Sequence, residues 1–151
     1  MIVTIAKNLR TGRYYVYDVY MERCHPDVLL RKAVEYTLKY QYEGIGVEAQ
    51  MAQEWFADKL TEELQKHGYP GVSRLKKIKQ RTRKALRIEA MLPDIQNGSL
   101  RFVKGLPTGF MDQFELYPMH AHDDGPDGTH MAYSTAQGSS AVVKMSRKRM
   151  R

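Results

Sequence analysis

Eight residues concentrate this chain's capacity for chemistry: His120-Ala121-His122-Asp123-Asp124-Gly125-Pro126-Asp127 carries three carboxylates and two imidazoles. Asp124 and Asp127 stand three apart, so on a helix opening near Pro126 both would point to one side. A further carboxylate, Glu48, closes the apolar run Gly44-Ile45-Gly46-Val47, where a buried strand would run out into an edge or cleft. Hard oxygen ligands converging from separate elements, with water in the remaining positions, are what Mg2+ or Mn2+ takes. Two such ions about 3.5–4 Å apart can activate a water and stabilise the leaving oxygen of an in-line phosphodiester displacement. The plainer alternative is that Asp123 and Asp124 cap a helix whose positive N-terminus prefers acid. A zinc site from His120, His122, His130 and Cys24 or His25 ranks lower, because no Cys-x-x-Cys pair exists and the neighbouring carboxylates favour a harder cation.

Charge points the same way. Lys and Arg number 24 against 17 Asp and Glu, a net charge of +7, which favours polyanions and nucleic acid above all. The basic segment from Arg74 to Arg87 supplies the candidate DNA contacts Lys79, Arg81, Arg83, Lys84 and Arg87, and His122 stands beside the acids. Such side chains release condensed counterions when they neutralise a phosphate backbone, and a basic rim offsets the repulsion between an acidic site and DNA. No G-x-x-x-x-G-K-[ST] run occurs, so a nucleotide-driven motor is not expected within this chain. The single cysteine, Cys24, forms no internal disulfide, and no apolar stretch approaches the roughly 20 residues of a membrane-spanning helix. A soluble protein of a reducing, cytoplasmic setting is the expectation.

The elements that must position these groups follow from patterning. Met1–Ala6 and Tyr14–Met21 read as strands joined by a turn at Thr11-Gly12 and paired antiparallel, with Tyr15, Tyr17, Val19 and Met21 on one face of the second strand. Cys24-His25-Pro26-Asp27 opens a helix carrying Leu30, Ala33, Val34, Thr37 and Leu38 as its stripe. Ile45–Glu48 is a short continuous apolar strand, as in a parallel sheet buried on both faces. From Ala49 a helix runs to Gly68 with Trp55 and Phe56 expected in the core. A strand over Val72–Ile78 follows, then a helix from about Thr82 interrupted at Pro93 and stopped at Asn97-Gly98. Leu100–Val103, Phe110–Leu116 and a helical run after Asp127 complete residues 1–135 as one domain, and residues 136–151 form a basic tail expected to be disordered. Strands alternating with helices after an antiparallel opening indicate an α/β domain with one mixed sheet.

The order of these segments resembles a known family. Tyr14-Tyr15-Val16-Tyr17-Asp18-Val19-Tyr20, then Gly46-Val47-Glu48-Ala49-Gln50, then Arg83-Lys84-Ala85-Leu86-Arg87-Ile88 with Gly98-Ser99-Leu100-Arg101-Phe102, and last His122-Asp123-Asp124-Gly125-Pro126-Asp127 look like the C-terminal nuclease domain of the phage terminase large subunit. The resemblance implies a ribonuclease-H-like mixed sheet flanked by helices. It also implies a Mg2+- or Mn2+-dependent endonuclease, a hydrolase that cuts concatemeric double-stranded viral DNA in a bacterial host cell. By position, Glu48 resembles the second catalytic carboxylate, and Asp124 and Asp127 the third-position acid and its neighbour one turn away. Which of Asp123, Asp124 and Asp127 binds metal stays open, with Asp127 first. The family's partners are a packaging ATPase, the small terminase subunit and the portal. Its first catalytic Asp lies on a strand ahead of the run matching Ile2–Ala6, so the resemblance implies an N-terminally truncated domain that takes this strand from an upstream polypeptide. From another class comes a non-catalytic DNA-binding or packaging-complex remnant that uses only the basic rim and tail.

Overall fold

The computed structural model describes residues 1–49 and 54–138. In chain order its elements are β1 (Ile2–Lys7), β2 (Tyr14–Tyr20), α1 (Pro26–Tyr40), β3 (Ile45–Glu48), α2 (Glu54–Lys66), α3 (Gly71–Arg74), β4 (Leu75–Ile78), α4 (Lys84–Gln96), β5 (Leu100–Phe102), α5 (Thr108–Glu115) and α6 (Asp124–Gly138). This is an α/β chain, and it divides into two compact units. One is Met1–Glu22 with Thr82–Ala136; the other is Arg23–Arg81 with the residues from Gln137 onward. The tail expected to be disordered lies, from residue 139, outside the described residues, as does Gln50.

In the first unit Asn8 reverses the chain. Its Oδ1 accepts from the N–H groups of Arg10 (2.9 Å) and Thr11 (3.2 Å), its carbonyl accepts from Gly12 N–H at 2.7 Å, and Gly12 takes φ +76°. Glycine adopts that left-handed conformation without strain. β1 and β2 therefore pair antiparallel, and β5 joins β2 in parallel, giving the order β1-β2-β5. Thr4 faces Asp18 but Ile5 faces Val16, which leaves Tyr17 as an extra residue on β2. Such a bulge breaks the two-residue alternation. The expected faces of β2 are corrected accordingly: Val16 and Val19 both enter the core while Tyr17 stands half exposed.

Val16, Val19, Met91, Leu100, Phe110 and Tyr133 form that core, so α4, α5 and α6 all pack on the three-stranded sheet. α6 starts at Asp124, two residues before the expected Pro126, and it is held tightly against α5. The N–H of Gly125 donates to Gln113 Oε1 at 2.6 Å, and Thr129 Oγ1 donates back to the Gly125 carbonyl at 2.8 Å. Pro93, expected to interrupt α4, lies inside it without ending it. The helix stops where expected, at Asn97, with Gly98 at φ +81°.

In the second unit His25 caps α1, its Nδ1 accepting from Asp27 N–H at 3.2 Å, and Pro26 opens the helix where no backbone N–H is needed. β3 and β4 pair in parallel as a separate two-stranded sheet. The strands thus form two sheets rather than the single mixed sheet expected. β3 is half-buried along its whole length rather than buried on both faces. The first three residues of the strand expected over Val72–Ile78 instead belong to α3, and β4 starts at Leu75. Ala57, Leu60 and Leu64 are the buried stripe of α2. Trp55, expected in the core, is 45% exposed, because the helix needs only small and aliphatic residues on its packed face. No helix among the described residues is long and apolar enough to cross a membrane.

Gly125 tests how closely α6 must approach α5. A Cβ there would stand 2.9 Å from Gln113 Oε1 and 3.1 Å from a Phe110 ring carbon. Gly125→Ala is expected to destabilise the fold by about 1–3 kcal/mol through overpacking, read as a lower urea midpoint with an unchanged slope. A midpoint equal to that of the parent chain would contradict this packing.

Candidate functional site

The acidic corner is built by two helices running side by side. Lys84 Nζ donates to Asp124 Oδ1 at 3.1 Å, Arg87 Nη2 to Asp127 Oδ1 at 2.8 Å, and Tyr133 Oη to Asp94 Oδ2 at 2.7 Å. Partner numbers rise together along α4 and α6, so the two helices point the same way. Spacing explains the match: Lys84 and Arg87 are three apart on one helix, Asp124 and Asp127 three apart on the other. Asp123 precedes α6, and its carbonyl accepts the N–H of Asp127 at 3.0 Å. Asp124 and Asp127 stand in the first turn of α6, at its positive end.

Within this corner Lys84 is the common partner. Its Nζ lies 2.6 Å from Asp123 Oδ1 and 3.1 Å from Asp124 Oδ1, and 4.0 Å from Asp127 Oδ2. Burial pulls the Lys84 ammonium down, but the hydrogen bonds and charges of Asp123 and Asp124 outweigh it and hold the group above its ordinary value. Arg87 does a different task. Its side chain is only 10% exposed, and it grips Asp127, itself 20% exposed, while a second nitrogen donates to the Thr82 carbonyl. Expected as a DNA contact, Arg87 is turned inward onto a carboxylate instead.

His130, one turn beyond Asp127, completes the corner. Burial lowers its pKa below the ordinary 6.5, the Arg87 charge lowers it further, and Asp127 opposes both, so the ring is neutral at neutral pH. Its Nε2 lies 3.3 Å from Ser134 Oγ. His130 Nδ1 and Arg87 Nε are buried without hydrogen-bond partners. Both flank Asp127, so its own side chains leave part of the corner's polar capacity unmet.

The other expected site residues fall elsewhere. Glu48 ends β3 in the second unit, half-buried. Lys79 and Arg81 are exposed residues of that unit; Arg83 and His122 are exposed in the first. His120 Nδ1 is taken up by the backbone of His122, at 2.9 Å from both its N and its O. His25 caps α1, and Cys24 is a free, exposed thiol. Nothing matches this chain among family models, curated proteins or solved structures.

Three carboxylates reach a single positive centre, the Lys84 ammonium. Among the described residues no group of three or more His, Cys, Asp or Glu is placed so that it could hold a metal ion. Sequence reasoning named the acids but missed Lys84 and Arg87 as their partners. The matching three-residue spacings were the available signal.

Two measurements probe this corner. Arg87→Met strips a mostly buried carboxylate of its counter-ion and is expected to cost about 3 kcal/mol, whereas Lys84→Met, at a partly exposed position, should cost about 1 kcal/mol or less. Equal losses in urea melts would reject this division. The depressed His130 pKa contributes stability that is present above about 6.5 and lost as pH falls through its lower folded value. Melting temperature should therefore fall as pH drops below about 6.5, and His130→Gln should flatten that fall; an unchanged slope would contradict the assignment.

Proposed function

We propose that this chain is a Mg2+- or Mn2+-dependent DNA endonuclease of the terminase large-subunit type, with Asp127 as the principal ligand and Asp123 and Asp124 as its neighbours. The observation that carries the reading is the convergence of three carboxylates on one cationic centre, with Lys84 Nζ at 2.6, 3.1 and 4.0 Å from them. Support also comes from the net charge of +7, and from the order of motifs ending in His122-Asp123-Asp124-Gly125-Pro126-Asp127.

A divalent cation, when bound, supplies Lewis acidity and a water acidic enough to attack a phosphodiester near neutral pH. The chain's own residues do the rest. Arg87 fixes the rotamer of Asp127, so that carboxylate is presented in one orientation. Arg83 and Lys84, at the start of α4, meet the phosphate backbone as charge-assisted donors. His130, neutral, orients water through a ring nitrogen without adding positive charge. Duplex DNA is the substrate, and by the same reading an upstream terminase polypeptide, the small subunit and the portal are partners.

One observation favours a second reading, a DNA-binding remnant without catalysis: the acids are already neutralised by Lys84 and Arg87. Plasmid cleavage separates the two. In Mn2+, the chain alone or mixed with an upstream terminase fragment should nick or linearise supercoiled plasmid, and Asp127→Asn, its fold verified by circular dichroism because the buried Arg87 loses its counter-ion, should reduce the rate by at least about a hundredfold. Cleavage that survives Asp127→Asn, or fails in both mixtures, leaves only the DNA-binding reading.

A further inference from the structure

Three residue pairs in this chain join a carboxylate or carboxamide side chain to a following glycine: Asn97-Gly98, Asp124-Gly125 and Asp127-Gly128. In each, no Cβ on the glycine keeps its backbone nitrogen from the side-chain carbonyl carbon one residue back. The fold treats the three differently. Gly125 N–H is committed to Gln113 Oε1 at 2.6 Å, and Asp127 is held by Arg87 within α6. Both acids are ion-paired carboxylates, whose negative charge repels an attacking nitrogen. Asn97 is a neutral amide, exposed, at the C-terminal cap of α4.

We propose that Asn97 is a site of spontaneous deamidation, reached when the end of α4 opens. The Gly98 nitrogen gives its proton to hydroxide and attacks Asn97 Cγ. A bond forms between that nitrogen and Cγ, the bond from Cγ to Nδ2 breaks, and Nδ2 takes a proton from water and leaves as ammonia. The five-membered succinimide so closed then adds one water at either of its carbonyl carbons and opens. One product is an ordinary aspartate; the other is an isoaspartyl link, in which the main chain runs through Cγ.

Three features single out this residue. Asn97 Oδ1 accepts from Ser99 N–H at 2.9 Å, an Asx turn that draws electron density from Cγ and folds the side chain over the peptide ahead of it. The bond shielding the attacking nitrogen is long: Gly98 N–H reaches the Ile95 carbonyl at 3.3 Å, against 2.9 Å for Asn97 N–H on the Pro93 carbonyl. The last turn of α4 is also short of backbone bonds, since Pro93 has no N–H to give to the turn before it. The chain's other asparagine, Asn8, lacks this combination: Leu9 follows it, and its Oδ1 is held by the N–H groups of both Arg10 and Thr11.

One constraint opposes the reaction. With ψ at −3°, Asn97 keeps a helical backbone, which sets Gly98 N to the side of Cγ, so ring closure waits for that torsion to turn. The cap has to open first, and helix ends are where local opening costs least. The product then bears on the sheet. The Ser99 carbonyl accepts from Tyr14 N–H at 2.8 Å, and Leu100 pairs with Tyr14. An isoaspartyl link, longer by one main-chain atom, therefore enters just where β5 joins β2, and either product sets a carboxylate at the negative end of α4.

The test is to age the full chain in mildly alkaline buffer, with and without denaturing urea, and to map its tryptic peptides by mass spectrometry. The peptide Ile88–Arg101, in which Asn97 is the only asparagine, should gain the mass of amide-to-acid conversion and become a substrate for isoaspartyl methyltransferase. Conversion should be at least about tenfold faster in urea, where no cap has to open. Gly98→Ala, compared in urea so that folding plays no part, should convert at least about tenfold more slowly, because its Cβ crowds the nitrogen. No conversion of Asn97 in the folded chain, over a period many times that in which the unfolded chain reacts completely, would overturn the site in the native protein. Equal rates with and without urea would overturn the need for the cap to open, and a parent-like rate in Gly98→Ala would overturn attack by the Gly98 nitrogen.

Discussion

The contact between Arg87 and Asp127 is the constraint on which the rest of the corner depends. Asp127 is four-fifths buried, and a carboxylate so placed keeps its charge only with a partner and hydrogen bonds around it. That demand sets α4 beside α6 at the register joining residues 84 and 87 to 124 and 127. The helix dipoles contribute less. Parallel neighbours bring two positive ends together, and α4 carries basic residues at its own positive end, each unfavourable by about 0.3–1 kcal/mol. Losing the counter-ion of a buried carboxylate costs about 3–5 kcal/mol. Pairing across the helices therefore decides the arrangement, and the acids of α6 neutralise both N-termini.

Local chemistry was legible in the sequence and long-range chemistry was not. Pro26 at the start of α1, Gly12 in the first turn and Gly98 at the stop of α4 act within a few residues, where backbone rules operate directly. The bulge at Tyr17 is different: whether Val16 and Val19 both turn inward depends on the strand opposite. Pro93 sits inside α4 without ending it, and Trp55 stays at the surface beside Ala57, Leu60 and Leu64, since packing overrides the local preference at both positions. The division of the strands into β1-β2-β5 and β3-β4 likewise rests on pairings between distant segments.

The candidate site shows the same boundary. Residue type alone marked Asp123, Asp124 and Asp127 as acids able to meet a cation, and spacing aligned two of them. Basic residues look alike in a sequence, so Arg87 was grouped with Arg83 and Lys79 as a phosphate contact. Burial separates them: Arg87 is clamped under α6, and Arg83 and Lys79 are exposed. Position along the chain carries no direct sign of which arginine will be desolvated. The coincidence of two three-residue spacings, 84 with 87 and 124 with 127, was the one hint available.

Order within the corner falls off from Asp127 outward. Asp127 rides on a helix pinned by the Gly125–Gln113 and Thr129–Gly125 hydrogen bonds and by Tyr133, which reaches Asp94 and meets the Tyr14 ring edge-on at 5.1 Å. Asp123 and Asp124, by contrast, are 44% and 73% exposed at the helix start. The ion pairs are therefore unequal: the desolvated Arg87–Asp127 contact orders the corner, and the solvated acids beside Lys84 contribute little to stability.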